Sequence, residues 1–405
     1  APASVARNWL REAERFAPSL RPLLLHEGNR AETIAGLGPY DLLITSYTLL
    51  QIEQDGLSTV EFATVILDEA QAIKNRQTKR SQAAKSLQAG FRLLTTGTPI
   101  ENHLGELWNL FDFLNPGLLG SLDQFNTRFA QPIERNQDTE KRAQLRKLLR
   151  PFILRRRKSE VLDELPEKTE ITLSVTLSDD ERAFYEALRR EAVERLDASG
   201  PEAGGGQHIR ILAEITRLRQ ACCHPQLVTP ESEIGSSKLE VFAETVRELR
   251  ENGHKALVFS QFVRHLRLIE DWVQAEGIAY QYLDGQTPLK EREKRVAAFQ
   301  RGEGDLFLIS LKAGGVGLNL TAADFVIHLD PWWNPAVEDQ ASDRAHRIGQ
   351  QRPVTVYRLV TEQTIEEKIV RLHAEKRELA DSLLEGTDTG GKLDAEALLA
   401  LLREA

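Results

Sequence analysis

The chain contains 405 residues, of which 41% are hydrophobic and 28% are charged, and its formal net charge is −9. This is the composition of an ordinary globular protein with room for about two to three domains. The acidic balance argues against a surface that is basic throughout. Two adjacent cysteines, Cys222 and Cys223, cannot form a disulfide framework, which fits a reducing compartment. No apolar run approaches the ~20 residues that a membrane helix needs, so no membrane partner is expected.

Apolar runs in the first hundred residues predict buried strands. They are DLLITSYTLL at 41–50, TVILDE at 64–69 and FRLLTTGTP at 91–99. Between the last two, SQAAKSLQ at 81–88 predicts a helix. Strand–helix–strand repeats with continuously apolar strands predict a parallel sheet.

The middle of the chain, residues 104–231, has mostly helical periodicity, and ERAFYEALRREAVERL at 181–196 is its clearest case. SGPEAGGG at 199–206 predicts a flexible break. From about residue 236 the α/β alternation returns, with strands predicted at KALVFSQF, AYQYLDG, LFLISLK, FVIHLD and TVYRLV. A charged amphipathic helix, TIEEKIVRLHAEKRELADSLL, and a last short helix are predicted after them.

Two adjacent carboxylates, Asp68 and Glu69, directly follow the apolar run VIL and are therefore predicted at the carboxyl end of a strand. Ligands of open parallel sheets bind at that edge. An Asp in this position can help to hold Mg²⁺, and a neighbouring Glu can orient or deprotonate a water that attacks a phosphate. The alternative is a helix N-terminus, where the helix dipole favours acidic residues. The dipeptide alone leaves both interpretations open.

The wider strings around this pair resemble a known family. ILDEAQAIKN and LLTTGTPIEN are similar to motifs II and III of superfamily-two helicase-like ATPases, and most similar to the SWI/SNF-type chromatin-remodelling ATPases. LITSYTLL resembles motif Ib, and LVFSQF resembles motif IV. The string LISLKAGGVGLNLTAADFVIHLDPWWNPAVEDQASDRAHRIGQ at 308–350 resembles motifs V and VI. The resemblance covers the chain from its first residues to about residue 375.

The resemblance implies an α/β fold of two RecA-like parallel-sheet lobes with a helical insertion between them. It places a partial first lobe at 1–115, a family-specific helical insertion and linker at 116–235, a second lobe at 236–375 and a helical tail at 376–405. The opening residues resemble motif Ia, and no phosphate-binding loop of the G-x-x-x-x-G-K-S/T type occurs in the sequence. We therefore expect that loop to precede Ala1 in a parent protein, and this chain alone to bind ATP poorly.

The resemblance also implies the residues of the site. For ATP and Mg²⁺ it assigns Asp68 as the metal ligand and Glu69 as the activator of water. Arg344 and Arg347 would be arginine fingers, three residues apart on one helix face. Residues that bind the nucleotide or couple it to nucleic acid would be Gln71, Thr96, Gly97, Thr98, Gly315, Gly317 and Gln340. Residues that contact double-stranded DNA would be Thr45, Ser46, Tyr47, Ser260, Gln261, Lys312, Ala313 and Gly314.

Structural alternatives remain for several of these patterns. Gln71 stands where the family has His, a change expected to keep the metal site but to alter coupling to motif III. Residues 45–47 also fit a strand-end turn, and the basic run 141–158 fits either a phosphate contact or a solvated face. Trp332 and Trp333 are expected to be packing residues. A zinc site that uses CCH at 222–224 lacks a second ligand pair. LRQACCHPQL at 218–227 resembles a family-specific element, and the resemblance implies that the two cysteines lie at a helix end, packed against neighbours.

The function implied by the resemblance is an ATP-dependent motor that translocates on double-stranded DNA. It would act in the cytoplasm on a bacterial nucleoid, or in the nucleus of a eukaryote. The sequence specifies neither the DNA-bound protein cargo nor the oligomeric state. Two alternatives stay open: a non-catalytic nucleic-acid-binding or scaffold protein derived from such a motor, and a superfamily-two helicase directed to RNA or single strands.

Overall fold

The computed structural model describes residues 1–25, 29–97, 103–154, 165–198, 205–314 and 318–372. Contacts divide the chain into two units, Ala1–Ile153 and the described part of Leu154–Arg377, each with hydrophobic clusters of its own. None of the helices in these ranges combines the length and the apolar character needed to cross a membrane.

The first unit alternates short helices with strands. Its elements are α1 (Ala3–Phe16), β1 (Arg21–Leu24), α2 (Arg30–Ala35), β2 (Asp41–Ile44), α3 (Tyr47–Ile52), α4 (Gln54–Leu57), β3 (Glu61–Leu67), α5 (Lys79–Ser86), β4 (Gln88–Leu94), α6 (Leu104–Leu114), α7 (Leu122–Phe125), α8 (Gln131–Asn136) and α9 (Thr139–Leu149). β1 pairs with β2 and β3 pairs with β4, both in parallel. The strands predicted at TVILDE and FRLLTTGTP are confirmed for their apolar parts, which end β3 and β4, and the helix predicted at SQAAKSLQ is confirmed up to Ser86, in α5.

The predicted strand DLLITSYTLL is a strand only in its first half, because β2 ends at Ile44 and α3 begins at Tyr47. Ser46 explains the change of structure. Its hydroxyl accepts a hydrogen bond from the backbone N–H of Leu49, 3.2 Å away, and so caps the helix. A short apolar run fits a strand or a buried helix equally well, and here the cap decides between them.

The expectation that β3 and β4 are buried strands is wrong for one face of the pair. Ile66, Phe91 and Leu93 expose 47%, 59% and 40% of their surface. Val65 and Leu67 point the other way and join a hydrophobic cluster. Among the described residues β3 and β4 pair only with each other. This small sheet is therefore covered on one face and open to solvent on the other.

The second unit is built on a six-stranded sheet. Its elements are β5 (Lys168–Val175), α10 (Asp179–Ala198), α11 (Gly205–Cys223), α12 (Ser237–Glu251), β6 (Ala256–Ser260), α13 (Val263–Ala275), β7 (Tyr280–Leu283), α14 (Leu289–Gln300), β8 (Leu306–Ser310), α15 (Leu311–Gly314), β9 (Phe325–His328), α16 (Pro335–Ser342) and β10 (Val354–Thr361), and residues 365–372 are helical. The five strands predicted beyond residue 236 are confirmed as β6 to β10, and the clearest predicted helix is α10.

All strands of this sheet are parallel, in the order β5-β10-β9-β6-β8-β7. β6 and β8 are buried along their whole length, and separate hydrophobic clusters cover the two faces. This is how a parallel sheet between layers of helices is buried. The predicted α/β class is confirmed. Because the strands are parallel, the segments that follow β6, β8 and β9 emerge at the same edge.

Strand β5 lies in the region where the sequence predicts mostly helices. It pairs with β10 from Lys168↔Val354 to Val175↔Thr361, at the edge of the sheet. The alternation of β-branched and polar residues in KTEITLSV is the strand signal there. The division into four segments stays a prediction, while contacts separate the two units at Ile153. Residues 199–204 of the predicted break and the tail beyond residue 372 lie outside the described residues, and residues 205–206 of the break already belong to α11.

A buried ion pair joins α12 to the segment that follows β10. The Lys238 ammonium lies 2.7 Å from both carboxylate oxygens of Glu366, and both side chains are buried. Glu366 also accepts a hydrogen bond from the backbone N–H of Thr361 at 3.0 Å. Each charge is therefore matched inside the unit, which a buried charge requires.

Candidate nucleotide-binding site

Asp68 lies directly after β3, at the carboxyl end of the strand, as predicted. Its Oδ1 atom accepts hydrogen bonds from the hydroxyl of Thr95 at 2.8 Å and from the backbone N–H of Glu69 at 3.0 Å. Its Oδ2 atom accepts one from the indole N–H of Trp9 at 2.8 Å. Donors from three separate segments therefore fix the orientation of this carboxylate.

Glu69 has φ 52° and ψ 53°, in the left-handed region that residues other than glycine rarely adopt. This conformation costs on the order of 1–3 kcal/mol. The backbone around it supplies the restraint: the Thr95 N–H donates to the Leu67 carbonyl at 2.8 Å, and the Ala70 N–H donates to the Thr95 carbonyl at 3.0 Å. Glu69 directly precedes a short 3₁₀ segment but makes no side-chain capping bond to it, so the alternative of a helix N-terminus stays open. Strain of this kind is typical of functional positions.

Gln71 connects the segments predicted as motifs II and III. Its Nε2 donates to Oε2 of Glu69 at 2.7 Å, and its Oε1 accepts from the hydroxyl of Thr96 at 3.0 Å. A primary amide can donate and accept at the same time, so one side chain links the segments after β3 and β4. Gly97 follows with open space where a side chain would lie, and Thr98 is outside the described residues.

The side chains of two of the three residues predicted to face DNA make hydrogen bonds inside this unit. The hydroxyl of Tyr47 donates to the backbone carbonyl of Asp68 at 2.8 Å. Burial, followed by the negative charges of Asp68 and Glu69, raises the pKa of the Tyr47 hydroxyl above its ordinary value. Ser46 is buried as the cap of α3, and Thr45 is half-buried. Tyr47 thus supports the turn that carries Asp68, whereas Ser46 supports the start of α3. The contact of these residues with DNA stays a prediction.

In the second unit, the predicted arginine fingers Arg344 and Arg347 do not lie on a helix, because α16 ends before them. Other donors take the carbonyls that a continuing helix would use. The N–H of Leu320 bonds the Arg344 carbonyl at 3.0 Å, and the side-chain amide of Gln350 bonds the Ala345 carbonyl at 3.1 Å. The predicted helix is therefore wrong here, and the segment forms turns.

The two arginines also differ in exposure. Arg344 is only 1% exposed, whereas Arg347 is half-buried. Gln340 is half-buried on α16. Arg344 is thus withdrawn from solvent in this conformation, and the finger roles of both arginines stay predictions.

The segment after β8 carries the predicted contacts of motif V. Lys312 is exposed, Ala313 is buried, and Gly314 ends α15. The Ala313 carbonyl accepts a hydrogen bond from the guanidinium of Arg292 at 3.2 Å. Gly315 and Gly317 lie outside the described residues. Of the described residues in this segment, Lys312 offers a charged group to solvent.

The residues of motif IV are held by Asp330, which follows β9. Ser260 is buried, and its hydroxyl donates to Oδ1 of Asp330. The backbone N–H of Gln261 lies 3.4 Å from Oδ2, and the Arg219 guanidinium lies 3.7 Å from the same atom. Ser260 is thus occupied inside the unit, and the DNA contact predicted for it and for Gln261 stays a prediction.

The sequence does not reveal several residues that shape these turns. Trp9 and Thr95 donate hydrogen bonds to Asp68. The Arg219 guanidinium lies 5.5, 5.6 and 5.7 Å from the ring centroids of Phe262, Trp332 and Trp333. Asp330 could have been singled out from the sequence, because it follows a predicted apolar strand as Asp68 does. The expectation that Trp332 and Trp333 pack within the protein agrees with these contacts.

Two family models match the chain. The SNF2-related domain matches residues 1–227, which is more than half of the sequence, and the helicase conserved C-terminal domain matches residues 237–349. The first covers Asp68 and Gln71, and the second covers Asp330 and Arg344. Together they cover every described residue discussed above as part of a predicted site.

Individual proteins give the same result. The chain is 40% identical to the "Putative ATP-dependent helicase/translocase YwqA" of Bacillus subtilis, over 98% of this chain and 44% of the relative. It is 36% identical to the human "SWI/SNF-related matrix-associated actin-dependent regulator of chromatin subfamily A member 1", over 99% and 40%. It therefore spans less than half the length of these curated relatives.

Among solved structures, the chain is similar to the "Sulfolobus solfataricus SWI2/SNF2 ATPase core in complex with dsDNA", with 37% identity and a TM-score of 0.47 over 95% of this chain and 81% of that one. The SNF2-related match to residues 1–227 identifies the family. The chain belongs to the SNF2-related domain family and carries a helicase conserved C-terminal domain behind it.

Proposed function

We propose that the protein to which this chain belongs hydrolyses ATP and uses the energy to move along double-stranded DNA. The observation that carries the proposal is the turn after β3, where Asp68 is fixed by three donors, Glu69 is held in a strained conformation, and Gln71 links Glu69 to Thr96. Membership of the family supports the proposal, as does the name "Putative ATP-dependent helicase/translocase YwqA" of the Bacillus relative.

The donor set after β3 fits the metal that such a reaction uses. Mg²⁺ prefers oxygen ligands. A carboxylate has about four acceptor sites, and hydrogen bonds to Asp68 come from Thr95, Glu69 and Trp9. One site therefore remains for a metal. When bound, Mg²⁺ would neutralise charge on the phosphate oxygens of ATP.

The chain's own residues then have distinct tasks. Asp68 would ligate the metal, and the Glu69 carboxylate would accept the proton of the attacking water. Arg344 and Arg347 would supply positive charge to the transferred phosphate. Lys312 and the backbone around it would contact DNA phosphates rather than bases, which makes binding tolerant of sequence and sensitive to salt.

The test is ATP hydrolysis by the full-length protein with duplex DNA, single-stranded DNA, RNA or no nucleic acid. We expect duplex DNA to stimulate most, and its affinity to fall at least about tenfold between about 50 and about 200 mM salt. Equal rates under all four conditions would contradict the motor. Stronger stimulation by RNA or by single-stranded DNA would show that this nucleic acid, and not duplex DNA, is the substrate.

Gln71→Ala is expected to weaken the coupling between DNA and hydrolysis. The substitution removes a hydrogen bond to a carboxylate, which is worth about 1.5–3 kcal/mol, so stimulation by duplex DNA should fall about tenfold or more. The basal rate should change less, because Asp68 and Glu69 remain. The control is Gln88→Ala, which removes a side chain whose amide bonds the Ser58 carbonyl at 2.9 Å and leaves the turn intact. Equal stimulation in both variants would argue against the link.

A further inference from the structure

Three buried side chains of the second unit converge on one point without a role in the reaction proposed above. Cys223 ends α11, His265 lies in the first turn of α13, and Asp330 follows β9. The cysteine sulfur, a ring nitrogen of the histidine and a carboxylate oxygen all lie within 4.8 Å of one another. All three residues are buried. They come from distant parts of the sequence, so no short sequence motif predicts that they lie together.

His265 is the second, independent observation. It is 1% exposed, and neither of its ring nitrogens has a hydrogen-bond partner among the described residues. Buried polar groups in native proteins nearly always have a partner, and an exception needs an explanation such as an ion. Imidazole is the commonest metal ligand in proteins, and no described residue competes for this ring.

The other two groups suit the same purpose. Cys223 is a free, buried thiol. Asp330 is oriented by the hydroxyl of Ser260, by the backbone N–H of Gln261 at 3.4 Å and by Arg219 at 3.7 Å. Hydrogen bonds to a ligating carboxylate from an outer shell are the usual way in which metal ligands are held.

We propose that Cys223, His265 and Asp330 bind one transition-metal ion of the zinc class. A sulfur, a nitrogen and an oxygen donor form a set that Zn²⁺ accepts and that Mg²⁺ does not. On binding, the Cys223 S–H bond breaks, its proton goes to solvent, and the sulfur bonds the metal. The histidine nitrogen and the carboxylate oxygen each donate a lone pair, and a fourth position is left for another donor.

Charge near the cluster would leave one positive charge in excess when the ion is bound. Thiolate and carboxylate carry two negative charges, and the metal adds two positive charges to that of Arg219, which lies 3.7 Å from Asp330. Lys238 is already paired with Glu366, and the Arg219 charge is spread over a guanidinium that lies close to the rings of Trp332 and Trp333. The ion would join the end of α11 to the segments that follow β6 and β9. This inference does not depend on the proposed ATPase.

The test is metal binding by the purified protein. After treatment with a chelator, the protein is loaded with Zn²⁺ or Co²⁺, and bound metal is measured by elemental analysis. We expect about one ion per chain, together with the near-ultraviolet absorption of a cobalt–thiolate bond. Zn²⁺ should also raise the melting temperature, because a ligand that binds only the folded state stabilises it. No bound metal and no cobalt–thiolate band in the wild-type protein would overturn the proposal without any variant.

The chain supplies matched controls on either side of Cys223. Cys222 is a buried cysteine outside the cluster, and His224 uses Nδ1 to accept the Gln226 N–H at 3.2 Å. Cys223→Ser and His265→Gln should weaken metal binding by at least about 10–100-fold. Cys222→Ser and His224→Gln should leave it unchanged. Metal retained equally in all four variants would show a different site and overturn the assignment.

Discussion

Replacing Glu69 by Gln in the full-length protein is expected to slow ATP hydrolysis by about 10²–10⁴-fold, the usual contribution of a positioned general base. The amide keeps the size of the side chain and the strained turn but cannot accept the proton of the attacking water. ATP affinity should stay close to wild type, since Asp68 is untouched. Steady-state hydrolysis and equilibrium binding of ATP measure the two effects separately.

Glu61→Gln provides the matched control for this experiment. Glu61 is an exposed carboxylate at the start of β3, whereas Glu69 lies just beyond its end. The same chemical change at Glu61 should leave the hydrolysis rate unchanged. If Glu69→Gln hydrolyses ATP as fast as Glu61→Gln, the general-base role is wrong.

Lys238→Met is expected to cost about 3–5 kcal/mol of the free energy of unfolding, because it leaves the buried Glu366 carboxylate without its partner. The two charges lie 2.7 Å apart in the core. Removing both of them with Lys238→Met and Glu366→Leu should restore only part of the loss. An apolar pair can replace a buried ion pair, but Leu leaves the buried Thr361 N–H without its acceptor. Denaturant unfolding of the wild type, the single variant and the double variant measures these differences.

The ion pair of Arg247 and Glu276 serves as the comparison. Their side chains are 50% and 36% exposed and lie 2.9 Å apart. Solvent screening limits such a pair to about 0–1 kcal/mol. Arg247→Met should therefore cost much less than Lys238→Met, and equal losses would contradict the importance of burial.

The sequence predicts the strands of the second unit well because physical chemistry leaves few choices there. β6 and β8 are short apolar runs, buried on both faces and separated by amphipathic helices. Elsewhere, a single side chain can determine whether a segment forms a helix or a strand. Ser46 turns an apolar run into a helix by capping it, and the edge strand β5 escapes detection because it is only half-covered and alternates polar with apolar residues.

Some residues of the candidate site are also predictable from the sequence, and others are not. Asp68 and Glu69 are predictable because they directly follow an apolar run. Trp9 is not, because it lies 59 residues from the carboxylate to which it donates, and only the fold brings the two together. The turn that carries Arg344 was not predictable either. Leu320 and Gln350 donate hydrogen bonds to the Arg344 and Ala345 carbonyls, which would accept helical hydrogen bonds if α16 continued. Contacts distant in sequence thus supply what local patterns cannot.

The pairing of β5 with β10 has a consequence for how the protein is made. β5 precedes every other strand of its sheet along the chain, and β10 follows them all, yet the two are neighbours. On the ribosome, β5 must therefore wait without its partner until almost the whole second unit has been synthesised. Closing so long a loop is slow, so chaperones that shield a nascent strand would be most useful during this interval.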